Sequence, residues 1–336
     1  MEKQIRVGVV GCGKIARVGH VPGIQSSGNG SVVALCDIVM ERAEAMRDDL
    51  APEAEIFSDL DDMLGAGLDA LCVCTPNNLH YPMTIAALEA GLHVLCDKPM
   101  AATLTEASNM IAAARNAGKV LHINQSMYYS PPHVTIAGLI NDGRIGDITH
   151  LRCIRASATT PDKHWSPGAA WFVSSKAQGG LILDIGIHMA DMLRWYGGAV
   201  SEINAFVDTR TPDIDVPDNV NAMMRFENGA IGMLELSWTQ PGGANLLEIY
   251  GTEGRIRSGF SEQPIELTLF RDGGEPEVSY PAVKQGVKSS YHNFADAVLG
   301  VTPSLTPGEL GRDALALCDA IRRSGETGKV EKVVSF

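Results

Sequence analysis

Short apolar runs alternate with helical stretches through the first third of the chain. Residues 5–10, 31–36, 55–57, 70–74, 93–96 and 120–124 read as strands. Residues 40–50, 60–64, a stretch ending at Ala90, and a stretch ending at Ala117 read as helices between them. Thr103-Leu104-Thr105-Glu106 forms a capping box that opens the last of these helices. Residues 70–74 and 93–96 are apolar at successive positions, as strands covered on both faces are. Strands and helices alternating at this spacing predict a doubly wound parallel sheet.

After Asn124 the pattern changes. Residues 125–131 read as a crossover, and Pro132 begins a new helix. Residues 148–158 form a long strand with partial alternation. Further strands are expected at 203–209, 220–226, 230–239, 245–250, 255–259 and 265–270, and near Val278. Glu227-Asn228-Gly229 is a hairpin turn, because Asn-Gly suits the left-handed backbone such turns need. Two helices close the chain, the last opened by Thr306-Pro307-Gly308-Glu309. The expected division is residues 1–124 and residues 125–336. The second part is α+β, with a large, mostly antiparallel open sheet. An apolar stripe of Met233, Leu236 and Trp238 suggests a face for subunit association, as a homodimer or homotetramer.

The chemistry gathers at strand ends. The first strand runs into Gly11-Cys12-Gly13-Lys14-Ile15-Ala16 and then a helix. Gly11 permits a tight turn, Gly13 lets backbone approach a pyrophosphate, and Ala16 keeps the helix near the sheet. The second strand ends in Asp37, at the distance expected for an acid on an adenosine ribose. A carboxylate there accepts hydrogen bonds from ribose hydroxyls and repels a 2′-phosphate. Ile38, Val39 and Met40 supply no cation in its place, so NAD is expected in preference to NADP. The first part is therefore a dinucleotide-binding Rossmann domain, and the whole is α/β. Asp37 could equally cap the helix that follows.

The strand at 93–96 stops in Asp97-Lys98-Pro99, because proline has no N–H to donate. Ligands sit beyond the carboxyl ends of strands in open parallel sheets, which puts Lys98 where a ligand would be. Alone, a lysine in a turn is more often merely solvated. Asp184 and His188, four apart, share one helix face. Trp165 and Trp171 lie in a loop, where aromatics plug a core or form a sugar platform.

Together, the glycine loop, Asp37, Thr75-Pro76-Asn77-Asn78-Leu79-His80 and Asp97-Lys98-Pro99 resemble the glucose–fructose oxidoreductase/inositol dehydrogenase (Gfo/Idh/MocA) family. That family usually has Glu-Lys-Pro where this chain has Asp97. The resemblance implies that Thr75, Pro76, Asn77, Asn78 and His80 line the cofactor, with Asp97, Lys98 and Gln125 toward the nicotinamide. It implies that Lys98 reaches a substrate hydroxyl, and that Asp184 and His188 match the Asp-x-x-x-His pair acting there. Tyr128 stands where many members have arginine, which removes a partner for an acidic substrate. Tyr128, Trp165 and Trp171 are thus expected on the substrate side. The implied activity is hydride transfer between NAD and a secondary alcohol of a sugar, sugar derivative or cyclitol. Lys98 is the first candidate for the base, His188 the second, and Asp184 orients. Two other readings stay open: a glycosidase using NAD transiently, and a non-catalytic NAD(H)-sensing regulatory protein.

The 336 residues suit two domains, and a 45% hydrophobic, 20% charged composition is that of a soluble globular protein. A net charge of −13 argues against nucleic acid or an anionic membrane as partner. The opening Met1-Glu2-Lys3-Gln4 leads into a strand without a signal-peptide pattern, and no apolar run is long enough to span a bilayer. Seven cysteines are an odd set. Cys72-x-Cys74 has no second pair at zinc spacing, so neither disulfides nor a metal is expected, and the compartment reads as cytoplasmic.

Overall fold

The computed structural model describes residues 4–259, 264–270 and 274–336. The expectation at Met1-Glu2-Lys3 lies outside the described residues. The chain divides into two compact units, residues 1–128 with 288–312, and residues 129–287 with 313–336.

The first unit is built on a six-stranded sheet. Its strands are β1 (Ile5–Val10), β2 (Gly30–Cys36), β3 (Glu55–Phe57), β4 (Ala70–Val73), β5 (His93–Cys96) and β6 (Leu121–Ile123), in the order β3-β2-β1-β4-β5-β6. Every neighbouring pair is parallel. The order reverses at β1, so the ends of β1 and β4 border the crevice where doubly wound sheets bind ligands. β4 is buried at every position, as its unbroken apolar run predicts. The capping box forms: Thr103 accepts from Glu106 N–H, and Glu106 reaches back to the cap.

The return of residues 288–312 to this unit differs from the expected division at 124. Buried His122 on β6 holds that segment. Its Nε2 lies 2.9 Å from Ser290 Oγ and 3.2 Å from Thr306 Oγ1, and its Nδ1 lies 2.9 Å from Ser304 Oγ. Phe294 and Ala295, on the helix Ser290–Val298, join the core that β1, β2 and β4 share. Gly23 makes room for this helix, since a Cβ there would stand 2.1 Å from the Tyr291 ring.

The second unit carries a nine-stranded sheet. Its strands are β7 (Ile148–Ala156), β8 (Val200–Asp208), β9 (Asn219–Phe226), β10 (Ile231–Ser237), β11 (Ala244–Gly251), β12 (Gly254–Ser258), β13 (Glu266–Leu269), β14 (Glu277–Ser279) and β15 (Glu331–Lys332). Their order is β14-β13-β12-β11-β7-β10-β9-β8-β15, and only β7 and β10 pair in parallel. β9 alternates strictly between exposed and buried positions after its first residue, so one face is covered. Gly197, ending the helix Ile187–Gly197, meets Phe226 on that face, where a Cβ would stand 2.5 Å from the ring.

The stripe of Met233, Leu236 and Trp238 is not one face. Met233 is half exposed, whereas Leu236 and Trp238 are buried. A strand alternates with period two, so positions three apart point to opposite sides. The exposed large apolar residues on the described strands of this sheet are instead Phe206, Met223, Met233 and, on β14, Val278, and Met223 pairs directly with Met233. No helix among the described residues is long and apolar enough to cross a membrane. All seven cysteines are free and buried.

Candidate functional site

Four loops leave the carboxyl ends of β1, β2, β4 and β5 in the first unit. The loop after β1 turns at Gly11, whose φ is +92°. A Cβ there would stand 2.8 Å from the Cys74 carbonyl oxygen, so only glycine lets the ends of β1 and β4 lie together. Gly13 is different, because a Cβ there would meet nothing within 4 Å. Its missing side chain relieves no protein contact and leaves the backbone open to a ligand. Lys14 and Ile15 begin the helix, and Ala16 is fully buried against the sheet. The segment Ala16–His20 is wound as a π-turn before the helix Val21–Ser26, a form frequent at functional sites.

Asp37 ties the first two loops together. One carboxylate oxygen accepts from Cys12 N–H at 2.8 Å and the other from Val39 N–H at 2.9 Å. The following helix begins without a side-chain cap, so Asp37 serves the glycine loop and its own turn. Ile38 is 90% exposed.

His80 ties the other two. Its Nδ1 is 2.7 Å from Pro99 O and its Nε2 is 2.8 Å from Thr75 O. Burial pushes the pKa of this imidazole down, while the two carbonyls pull the other way. With both ring nitrogens engaged, His80 fixes the Thr75-Pro76 turn against the Lys98-Pro99 turn. Asn77 is buried in a short 3₁₀ turn with Asn78 between those points. Lys98 is half-buried and precedes a cis peptide bond to Pro99.

Beside Lys98, Asp97 faces a fully buried histidine, with Oδ1 3.5 Å from His20 Nε2. Asn124 Nδ2 donates to the same oxygen at 3.3 Å. Burial would raise the Asp97 pKa, but the contact with His20 and the charges of His20 and Lys98 hold it well below the usual carboxylate range. For His20, burial works downward, and Asp97 overrides it to raise the pKa. His20 was not legible as a site residue. Its only sequence signal is its place one helical turn after Ala16, behind the glycine loop.

The residues fit a dinucleotide. Thr75 Oγ1 and Gln125 Nε2 are buried and have no hydrogen-bond partner among the described residues. Polar groups buried in that way need a partner, and a ligand at these loops supplies one. Tyr128 lies in a 3₁₀ turn at the end of the same segment.

The other expected residues belong to the second unit. Asp184 lies in the π-turn Ile182–Gly186, and His188 in the helix that continues from it. Both are half-buried. Trp171 stacks on Phe172 at 3.8 Å between ring centroids, and Trp165 is 42% exposed.

Comparisons with known proteins bear on the whole chain. Residues 5–125 match the oxidoreductase family with an NAD-binding Rossmann fold, and residues 133–257 match the GFO/IDH/MocA C-terminal domain. The 1,5-anhydro-D-fructose reductase of Ensifer adhaerens is 30% identical over 335 residues, 98% of each chain. The myo-inositol 2-dehydrogenase of Thermotoga maritima is 25% identical over 98% of this chain and 100% of its own. Among solved structures, the WlbA dehydrogenase of Bordetella pertussis, in complex with NADH and UDP-GlcNAcA, has a TM-score of 0.86. It is 27% identical, over 99% of this chain and 100% of that one. With an NAD-binding Rossmann domain, a GFO/IDH/MocA C-terminal domain and a relative matched end to end, this chain belongs to the Gfo/Idh/MocA family of oxidoreductases.

Proposed function

We propose that this protein is an NAD-dependent dehydrogenase that moves a hydride between the nicotinamide and a secondary alcohol of a sugar, sugar derivative or cyclitol. The observation that carries it is the bracing of four loops at one sheet edge. Asp37 joins the glycine loop to the end of β2, and His80 joins Thr75 to Pro99. Such bracing holds a lysine at a fixed place relative to a dinucleotide site. Relatives named as acting on anhydrofructose and inositol support the substrate class.

When bound, NAD supplies the hydride acceptor. Gly11, Cys12, Gly13, Lys14, Ile15 and Ala16 hold its pyrophosphate, and Asp37 its adenosine ribose. Thr75, Pro76, Asn77, Asn78 and Gln125 line the remainder, and His80 positions two of the turns. Lys98 takes the hydroxyl proton at its Nζ, as a general base must in oxidation. Asp97 keeps the lysine's turn anchored through His20 and Asn124. On the second unit, His188 is the alternative proton carrier, Asp184 orients it or the substrate hydroxyl, and Trp165 and Trp171 contact the sugar, as does Tyr128 at the end of the first unit. The exposed Phe206, Met223 and Met233 suit a homo-oligomeric contact, and the acidic chain suits a cytoplasmic enzyme without nucleic-acid partners.

The test is a panel of sugars, sugar acids and cyclitols with NAD and with NADP. Stoichiometric NADH from one polyol class is the expected result. Absence of turnover on every polyol, with NADH still bound tightly, would leave a cofactor-sensing protein instead.

A further inference from the structure

Behind the glycine loop, His20, Cys72 and Cys74 bring three metal-ligating atoms within 4.8 Å of one another. All three residues are buried, and Cys74, at 6% exposure, is the one nearest solvent. The two cysteines are two apart on one strand run, so they point to the same face, toward His20. Buried cysteine alone means little, because such a thiol behaves as a small hydrophobe. Cys36, Cys96, Cys153 and Cys318 are buried as well. The second observation is His20 itself. It is fully buried, and its Nε2 has no hydrogen-bond partner among the described residues. Its contact with Asp97 Oδ1 is 3.5 Å, too long for a good hydrogen bond.

We propose that His20, Cys72 and Cys74 form a binding site for a zinc-type soft divalent cation, with Asp97 as the adjacent carboxylate. Two thiolates and an imidazole are a donor set that tetrahedral d¹⁰ ions prefer. An ion equidistant from three atoms at the outer separation would stand about 2.8 Å from each, against ~2.3 Å for zinc–sulfur and ~2.0 Å for zinc–nitrogen bonds. The ligands therefore close by roughly half an ångström, within the reach of small χ1 adjustments. A water completes the tetrahedron, and Asp97, beside His20 but outside the group of three, offsets the cation's charge. Cys74 Sγ now donates to Gly11 O at 3.2 Å and Val10 O at 3.4 Å, weak bonds that a thiolate gives up on binding metal. Each thiol releases its proton as the metal–sulfur bond forms, and the imidazole, whose proton Asp97 favours, gives that proton up as its nitrogen binds.

The full-length protein, reduced and stripped with a chelator, is titrated with Cd²⁺ while thiolate-to-metal charge-transfer absorption is followed. Zn²⁺ is then titrated in competition. One Cd²⁺ per chain, displaced by Zn²⁺ with release of protons, is expected. Cys72→Val/Cys74→Ala should abolish the band, and His20→Asn should weaken Cd²⁺ at least ten-fold. Cys153→Ala and Cys318→Ala, in the other unit, should leave the band intact. Circular dichroism and NADH binding verify that each variant is folded. Should the double variant not fold, protection of Cys72 and Cys74 from alkylation by Zn²⁺ in the wild type, read by mass spectrometry, decides instead. The proposal is overturned by a missing band in the wild type, by a band that survives in the folded double variant, or by equal protection of all seven cysteines.

Discussion

Asp37 should set the choice between the two nicotinamide cofactors, and the double substitution Asp37→Ser/Ile38→Arg should reverse much of it. The carboxylate is 8% exposed and held by two backbone N–H groups, so it cannot swing away from a phosphate placed on the ribose. Two unit charges about 4 Å apart repel by ~4 kcal/mol at an effective dielectric of about 20. At about 1.4 kcal/mol per factor of ten, the wild type should bind NADH on the order of 10²–10³-fold more tightly than NADPH. Serine removes the repulsion, and arginine at the highly exposed position 38 offers a phosphate partner at little cost to the fold.

The same substitution costs the NAD side as well. Cys12 N–H loses a charged acceptor, and leaving such a buried donor unsatisfied costs ~1–3 kcal/mol. The ratio of NADPH to NADH dissociation constants should therefore fall at least ~100-fold, from both directions. Fluorescence titration of the reduced cofactors measures it without knowledge of the substrate. Ile38→Arg alone is the control, since Asp37 then still repels the phosphate and the ratio should move by no more than about five-fold. A wild type that prefers NADPH, or a double variant with an unchanged ratio, would refute the reasoning.

Three further outcomes follow from the same geometry. Lys98→Ala should lower kcat by roughly 10²–10⁴-fold with NADH affinity nearly unchanged, and a near-normal kcat in steady-state assays would remove the lysine from the chemistry. Gly13→Ala should fold like the wild type, because its Cβ meets no protein atom within 4 Å, yet bind NADH at least ~10-fold more weakly; normal binding would move the pyrophosphate away from Gly13. Burial pushes His122 down to about 3 and His133 to about 4, so both stay neutral while an unfolded chain protonates near 6.5. Their contribution is whole above that value and is lost as pH falls, by roughly 2 kcal/mol each at pH 5. Melting temperatures measured between pH 7.5 and 5 should decline, and a flat profile would contradict the neutral, buried imidazoles.

Much of the first unit was legible because its signals are local. β1, β3 and β5 fall where the apolar runs begin and end, bounded by glycine, serine or the Asp-Lys-Pro stop. The capping box was readable for the same reason, since its partners are three residues apart. What escaped depends on distant partners. His122 meets Ser290, Ser304 and Thr306 from 168 to 184 residues away, and no periodicity announces that. β15, two residues long, has no pattern of its own and exists only through its pairing with β8. Both π-turns sit in ordinary helical sequence, so only the fold reveals them. The error at Met233, Leu236 and Trp238 is of another kind, because period two separates those positions without any structure.

The candidate site divides along the same line. Glycine spacing, Asp37 and the Asp-Lys-Pro stop carry their meaning within a few residues or one βαβ unit, so each could be proposed as a site feature from sequence. His20 did not have such a frame. It meets Cys72, Cys74 and Asp97, which arrive on other elements of the sheet. A parallel sheet forces this separation, since every return to the same edge needs a crossover of a dozen or more residues. Metal spacing rules written for cysteine pairs in one loop therefore pass over Cys72-x-Cys74, because the third proposed ligand, His20, stands on the segment after β1. The residues that touch the cofactor should be found in short motifs at strand ends. A residue that braces the strand ends from behind, as His20 does, becomes visible only when the sheet brings its loops to one edge; His80 was named from its motif, but its bracing of Thr75 and Pro99 was not.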